Sequence, residues 1–158
     1  MGRETVLRQL NHKLVVMLRE SFQAQGALRA WNAQLSKLGH GEAEIRLPYS
    51  EQVTQQHGYF HGGVIGAVAD VAGGYAANTV LMPHKECLTA EYKINIVAPG
   101  TGEYLVARGK VLKAGKTLVV AGAEVFTGQH GKEKLCAVMQ QTLFVIDKQT
   151  AVHETAGE

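Results

Sequence analysis

Asp70 is the only charged residue in GGVIGAVADVAGGYAANTVLM, residues 62–82 of a 158-residue chain. A carboxylate without a partner in apolar surroundings is costly, or is driven towards its neutral form. A chain keeps one there for a task or for a firm partner. It can serve as a general base, as a nucleophile, or as the acceptor of a structural hydrogen bond. Nine residues earlier stands His61, opening the turn His61-Gly62-Gly63. The first turn of a helix carries unpaired N–H donors and the positive end of the helix dipole. The N–H groups of Gly62 and Gly63 therefore offer a place for an oxygen that gains negative charge during a reaction. His61 reads either as the residue that caps and orients this turn or as a packed structural histidine.

Other chemistries find less support. Cys87 and Cys136 are too few for a disulfide framework and lack metal-site spacing. His61 and Asp70 have no third ligand at a sensible distance, so no metal is expected. Gly62, Gly63 and Gly66 do not fit the spacing of a dinucleotide fingerprint. Gly115-Lys116-Thr117 mimics the end of a phosphate-binding loop, but the position that needs glycine is Lys110 and no helix follows. It reads as a hairpin turn.

The element that carries Asp70 is apolar on every side, and ten of its 21 residues are Gly or Ala. As a helix it would be about 30 Å long. Such a helix should be buried all round, with small residues letting neighbours approach closely. A membrane span of this length is disfavoured by Asp70 near its centre. Ahead of it, residues 5–20 place Val6, Leu7, Leu10, Leu14, Met17 and Leu18 at helical spacing and predict an amphipathic helix packed on the main body. SFQAQG predicts a short helical turn ending at Gly26. LRAWNAQLSKL and GEAEIRLPY predict two strands joined around Gly39-His40-Gly41. After the central helix, residues 86–98 alternate, with Leu88, Ala90, Tyr92, Ile94 and Ile96 on one face and Thr89, Glu91, Lys93 and Asn95 on the other. Strands over 103–113, 117–127 and 133–146 complete an antiparallel meander. The polar tail from Gln149 to Glu158 is expected to fray. One domain spanning 1–158 is expected.

Composition narrows the classes. Gly is 18 of 158 residues, above an average usage of about 7%, and Pro is only 3. Sixteen basic residues face fourteen acidic ones, with no basic block to bind nucleic acid. The N-terminus lacks a signal-peptide pattern, and a reduced cytoplasm is the expected setting.

The segment Gln55-Gln56-His57-Gly58-Tyr59-Phe60-His61-Gly62-Gly63-Val64-Ile65, followed by Ala69-Asp70 and a meander, resembles the hotdog-fold thioesterases. The nearest likeness is to the branch named PaaI, for phenylacetic acid degradation, over roughly residues 20–147. The resemblance implies an α+β fold in which an antiparallel sheet wraps one long helix. It also implies homodimers joined edge to edge, commonly paired into homotetramers, with each active site between two subunits. Asp70 of one chain would then face the His61–Gly63 turn of its partner. The Gly62 N–H would polarise a thioester carbonyl, and Gln55 would help to hold the site. Thr89 matches a water-positioning Ser or Thr of some relatives, although strand parity turns it away from the apolar face. Some relatives carry Ser or Thr where this chain has Gly74.

The implied substrate is an acyl-CoA, with coenzyme A as part of the substrate and no separate cofactor. The acyl group would pass Gly73, Gly74 and Ala77. Lys113, Gly115 and Lys116 match a turn that contacts the nucleotide, and read equally as an ordinary hairpin with solvated lysines. A non-catalytic acyl-CoA sensor on the same fold is the alternative. Neither a membrane nor a nucleic acid is an expected partner.

Overall fold

A computed structural model describes residues 9–148. Its elements are α1 (His12–Gln23), α2 (Gly26–Ala30), β1 (Gln34–Gly39), β2 (Glu42–Pro48), a 3-10 turn at Glu51–Val53, α3 (Gly62–Leu81), β3 (Lys85–Ile96), β4 (Tyr104–Ala114), β5 (Leu118–Gln129) and β6 (Lys132–Asp147). The strands form one antiparallel sheet in the order β1-β2-β4-β5-β6-β3. The long apolar helix α3 touches all six strands. This is the expected sheet around a central helix. Although α3 is long and apolar enough to span a membrane, 61% of its most apolar stretch is buried within the fold.

Small residues set how closely α3 sits. A Cβ on Gly109 of β4 would fall 2.2 Å from the backbone carbon and oxygen of Ala72, so only glycine fits beneath the helix there. Around this contact, Ile45, Leu47, Ile65, Val68, Leu105 and Val125 are fully or almost fully buried. Each large apolar side chain removed from water contributes about 1.5–3 kcal/mol. Thr79 accepts a hydrogen bond from the Gly41 N–H at 2.7 Å and ties the β1–β2 hairpin to the helix.

The N-terminal elements differ from the sequence expectation in two ways. Among the described residues the first helix begins at His12, after non-helical residues 9–11, because Asn11 caps it by accepting from the Leu14 N–H at 2.8 Å. It runs on to Gln23 because Phe22 is buried edge-to-face against Tyr75, with ring centroids 5.5 Å apart. Ser21 and Gln25 also reach the Tyr75 hydroxyl, at 3.0 and 3.1 Å. Val6 and Leu7, like the tail from Gln149, lie outside the described residues. In LRAWNAQLSKL, the first half coils as α2 to bury Leu28, and the chain reverses at Asn32 with φ 56°. The strand starts only at Gln34.

A third difference reaches the site. The pairing of β3 with β6 slips between Thr89 and Glu91, leaving Ala90 in a bulge. A bulge adds one residue and so reverses which face the following side chains occupy. Ile94 therefore packs on the core and Tyr92 and Ile96 approach α3, as expected from their parity. On the other side of the bulge, Leu88 is 60% exposed while Cys87 and Thr89 turn towards α3.

Candidate active site

The site begins with the turn that leads into α3. His61 is extended (φ −64°, ψ 137°), and its Nδ1 accepts from the Gly63 N–H at 2.9 Å. The His61 carbonyl accepts from Val64 and Ile65. Of the two glycine N–H groups expected to meet an oxyanion, Gly63's is thus engaged by the cap. The Gly62 N–H meets no acceptor among the described residues, and Gly62 is exposed. Backbone bonds hold this turn in place: His61 N–H donates to Val53 O at 2.9 Å, and Phe60 N–H to Gly100 O at 2.8 Å. The Gln55 side chain accepts from the His57 N–H and braces the same loop.

Asp70 lies two turns deeper along the helix and is half-buried. Burial raises its carboxyl above the usual range, partly opposed by a hydrogen bond from Thr89. The Thr89 hydroxyl donates to Asp70 Oδ1 at 2.7 Å. The strand-parity expectation for Thr89 is therefore overturned, and the bulge at Ala90 is the cause. A residue absent from the sequence reading joins them. Gln141 of β6 is fully buried, and its Nε2 lies 3.3 Å from Asp70 Oδ1 and 3.2 Å from the Asp70 carbonyl oxygen. The signal was there in the alternation of β6: Ala137, Met139 and Leu143 are buried at the same parity. A glutamine in that series is as anomalous as an aspartate in α3.

Cys87 also lies near Asp70, but burial, with the charges of Asp70 and Glu86, pushes its thiol up to about 12. It donates to Gly74 O and Asn78 Oδ1 at 3.5 and 3.3 Å. A thiol so poorly ionised is no nucleophile at neutral pH.

The three residues expected beside the acyl group separate. Gly74 borders open space, with nothing within 4 Å of where its Cβ would stand. Gly73 is closed off by Gln141, and Ala77 is buried against Val119, Ala121 and Leu143. The structure places Lys113, Gly115 and Lys116 at the β4–β5 hairpin, where Gly115 N–H donates to Leu118 O at 2.8 Å. That hairpin adjoins the C-terminal half of α3. Both lysines are exposed and neither forms an ion pair among the described residues.

Within one chain these groups do not converge. Gly62 and Asp70 are eight residues apart on one helix, which separates them by about 12 Å. That is too far to act on the same carbonyl group.

Comparison with known proteins follows the same fold. Residues 57–134 match the family model described as the thioesterase superfamily. A thioesterase family protein from Silicibacter pomeroyi is 35% identical, superposes with a TM-score of 0.82, and covers 85% of this chain and 99% of its own. A presumed esterase of Saccharolobus solfataricus is 36% identical over 101 residues, or 64% of this chain and 71% of that protein. A Bacillus halodurans protein crystallised with CoA is 25% identical, with a TM-score of 0.70, over 85% of this chain and 84% of that one.

Proposed function

The chain belongs to the thioesterase superfamily and has its hotdog fold, and from that premise we propose that it hydrolyses acyl-CoA thioesters to the free acid and coenzyme A, at a site shared by two copies. The observation that carries this reading is the pairing of a half-buried, basic carboxylate at Asp70 with a Gly62 N–H that meets no acceptor among the described residues, the two too far apart to cooperate within one chain. A twofold dimer joined at the exposed edge of β3 brings the Asp70 of one copy towards the Gly62 turn of the other. The sequence pattern from Gln55 to Asp70 supports a place near the phenylacetic-acid-degradation branch.

The chemistry follows from these groups. Asp70 accepts a proton from a water as the water oxygen bonds to the thioester carbon. The carbonyl π electrons move to oxygen, where the Gly62 N–H receives the charge. A preorganised donor of this kind is worth about 3 kcal/mol in the transition state. Collapse of the tetrahedral species breaks the C–S bond, and the proton held by Asp70 passes to the leaving thiolate. Burial favours this role, because a carboxylate with a raised pKa is a stronger base. Open space beside Gly74 leaves room for the acyl group. The exposed lysines of the β4–β5 hairpin are candidates to meet coenzyme A phosphates.

Thiol release from a panel of aryl, aliphatic and hydroxylated acyl-CoA esters tests the proposal. Turnover of at least one class is expected. Tight binding without thiol release would identify a sensor and overturn it.

A further inference from the structure

Gln141 has no obvious reason to be where it is. It occupies an inward position of β6, with no exposed surface, beneath the centre of α3. Its Oε1 is buried and has no hydrogen-bond partner among the described residues. A Cβ on Gly73 would stand 2.5 Å from that oxygen and 2.8 Å from Cδ, so the helix must carry glycine above it. An orphaned buried acceptor destabilises a fold, and so does glycine inside a helix. An apolar side chain under an alanine would remove both penalties. What the arrangement gains is a donor: Nε2 reaches Asp70 Oδ1 at 3.3 Å and the Asp70 carbonyl at 3.2 Å. The Asp70 carbonyl already has its place in the helix ladder, so the distinctive contact is the one to the carboxylate.

Thr89 meets the same oxygen from the neighbouring strand β3, at 2.7 Å. Two donors from two strands thus fall on Oδ1, and none among the described residues falls on Oδ2. We propose that Gln141 is a positioning residue: with Thr89 it pins Asp70 through Oδ1, fixes the carboxylate rotamer, and leaves Oδ2 as the oxygen offered to the reacting group. A carboxylate held by one oxygen cannot rotate without breaking both bonds, so the second oxygen keeps one direction. This inference deepens the proposed hydrolytic function and rests on Asp70 being its working group.

Gln141→Met tests it, since methionine keeps the length and bulk but cannot donate. The first readout needs no activity: the Asp70 carboxyl is titrated by carbon-13 NMR. Loss of a donor to the charged form should move its midpoint to higher pH. The second readout is thiol release, where kcat should fall about ten- to a hundredfold with KM nearly unchanged, as when an outer-shell partner is lost. The melting temperature should hold or rise, because the orphaned Oε1 is removed. Gln141→Asn, whose amide is one methylene too short, should shift the titration in the same direction. A folded Gln141→Met or Gln141→Asn protein with an unmoved Asp70 titration would overturn the proposal. Failure of both variants to fold would also overturn it, making Gln141 purely structural. If wild type hydrolyses no thioester yet the titration moves, the functional reading fails while the positioning role stands.

Discussion

Asp70 ties function to stability at the scale of one residue. Its carboxyl is held above the ordinary range by burial, with the Thr89 hydrogen bond opposing. The folded state therefore binds this proton more tightly than the unfolded chain does. Stability from this group is fullest below the unfolded value of about 3.9 and is lost as pH rises through the raised folded value. Asp70→Asn should accordingly keep or raise the melting temperature at neutral pH, read by thermal unfolding. The same change should lower thiol release by about a thousandfold, the scale of losing a general base. In wild type, kcat/KM should fall on the acid side with a midpoint above the usual aspartate range. Gly62 offers a second clean change. It is the first helical residue after an extended His61, the position where proline is best tolerated. Gly62→Pro deletes the free N–H, and the exposed Ile96 side chain, 3.2 Å from the new Cβ, can move aside. A folded protein with kcat about a hundred- to a thousandfold lower is expected in steady-state thiol release.

At the scale of elements, the site depends on how α3 meets the sheet. The helix was legible in the sequence because an all-round apolar run with one acid has few other readings. Its capping by His61 was one of two readings the sequence left open, and the Gly63 N–H bond decided between them. Thr89 was picked out by the family resemblance, but the face it presents was not legible. Alternation gives a strand two faces, but a bulge is set by pairing with β6 and leaves no mark in the alternation itself. Gln141 was legible in principle, as a polar residue in a buried series, yet its partner lies 71 residues away in sequence. Closeness of approach is the other property of this scale. Gly109→Ala would drive a methyl group into the Ala72 backbone, which cannot shift without lifting α3. It should destabilise the fold by about 1–3 kcal/mol, read as a lower midpoint in urea unfolding.

For the whole molecule, the distance along α3 is the governing fact. Asp70 and Gly62 belong to one rigid helix and stand about 12 Å apart, so no side-chain motion unites them. A shared site makes a specific forecast about mixed subunits. Asp70→Asn and Gly62→Pro proteins should each be nearly inactive alone. Coexpressed in equal amounts, they should form mixed dimers in which one site has both native groups, restoring about one quarter of wild-type activity in the unfractionated mixture. Dual-tag purification of the mixed species should raise this to about one half, read by thiol release. No recovery in a verified mixed dimer would place the site within a single chain.

The sequence by itself determined the central helix, its lone acid, the glycine turn before it and the meander after it. These are local properties: composition, spacing and short turns fix them without reference to distant residues. Only the tertiary structure decided which face Thr89 presents, that Gln141 lies under Asp70, and that the Gly63 N–H is already bonded while that of Gly62 meets no acceptor among the described residues. Each of these depends on strand register and on the contact between helix and sheet, where a shift of one residue exchanges inside for outside.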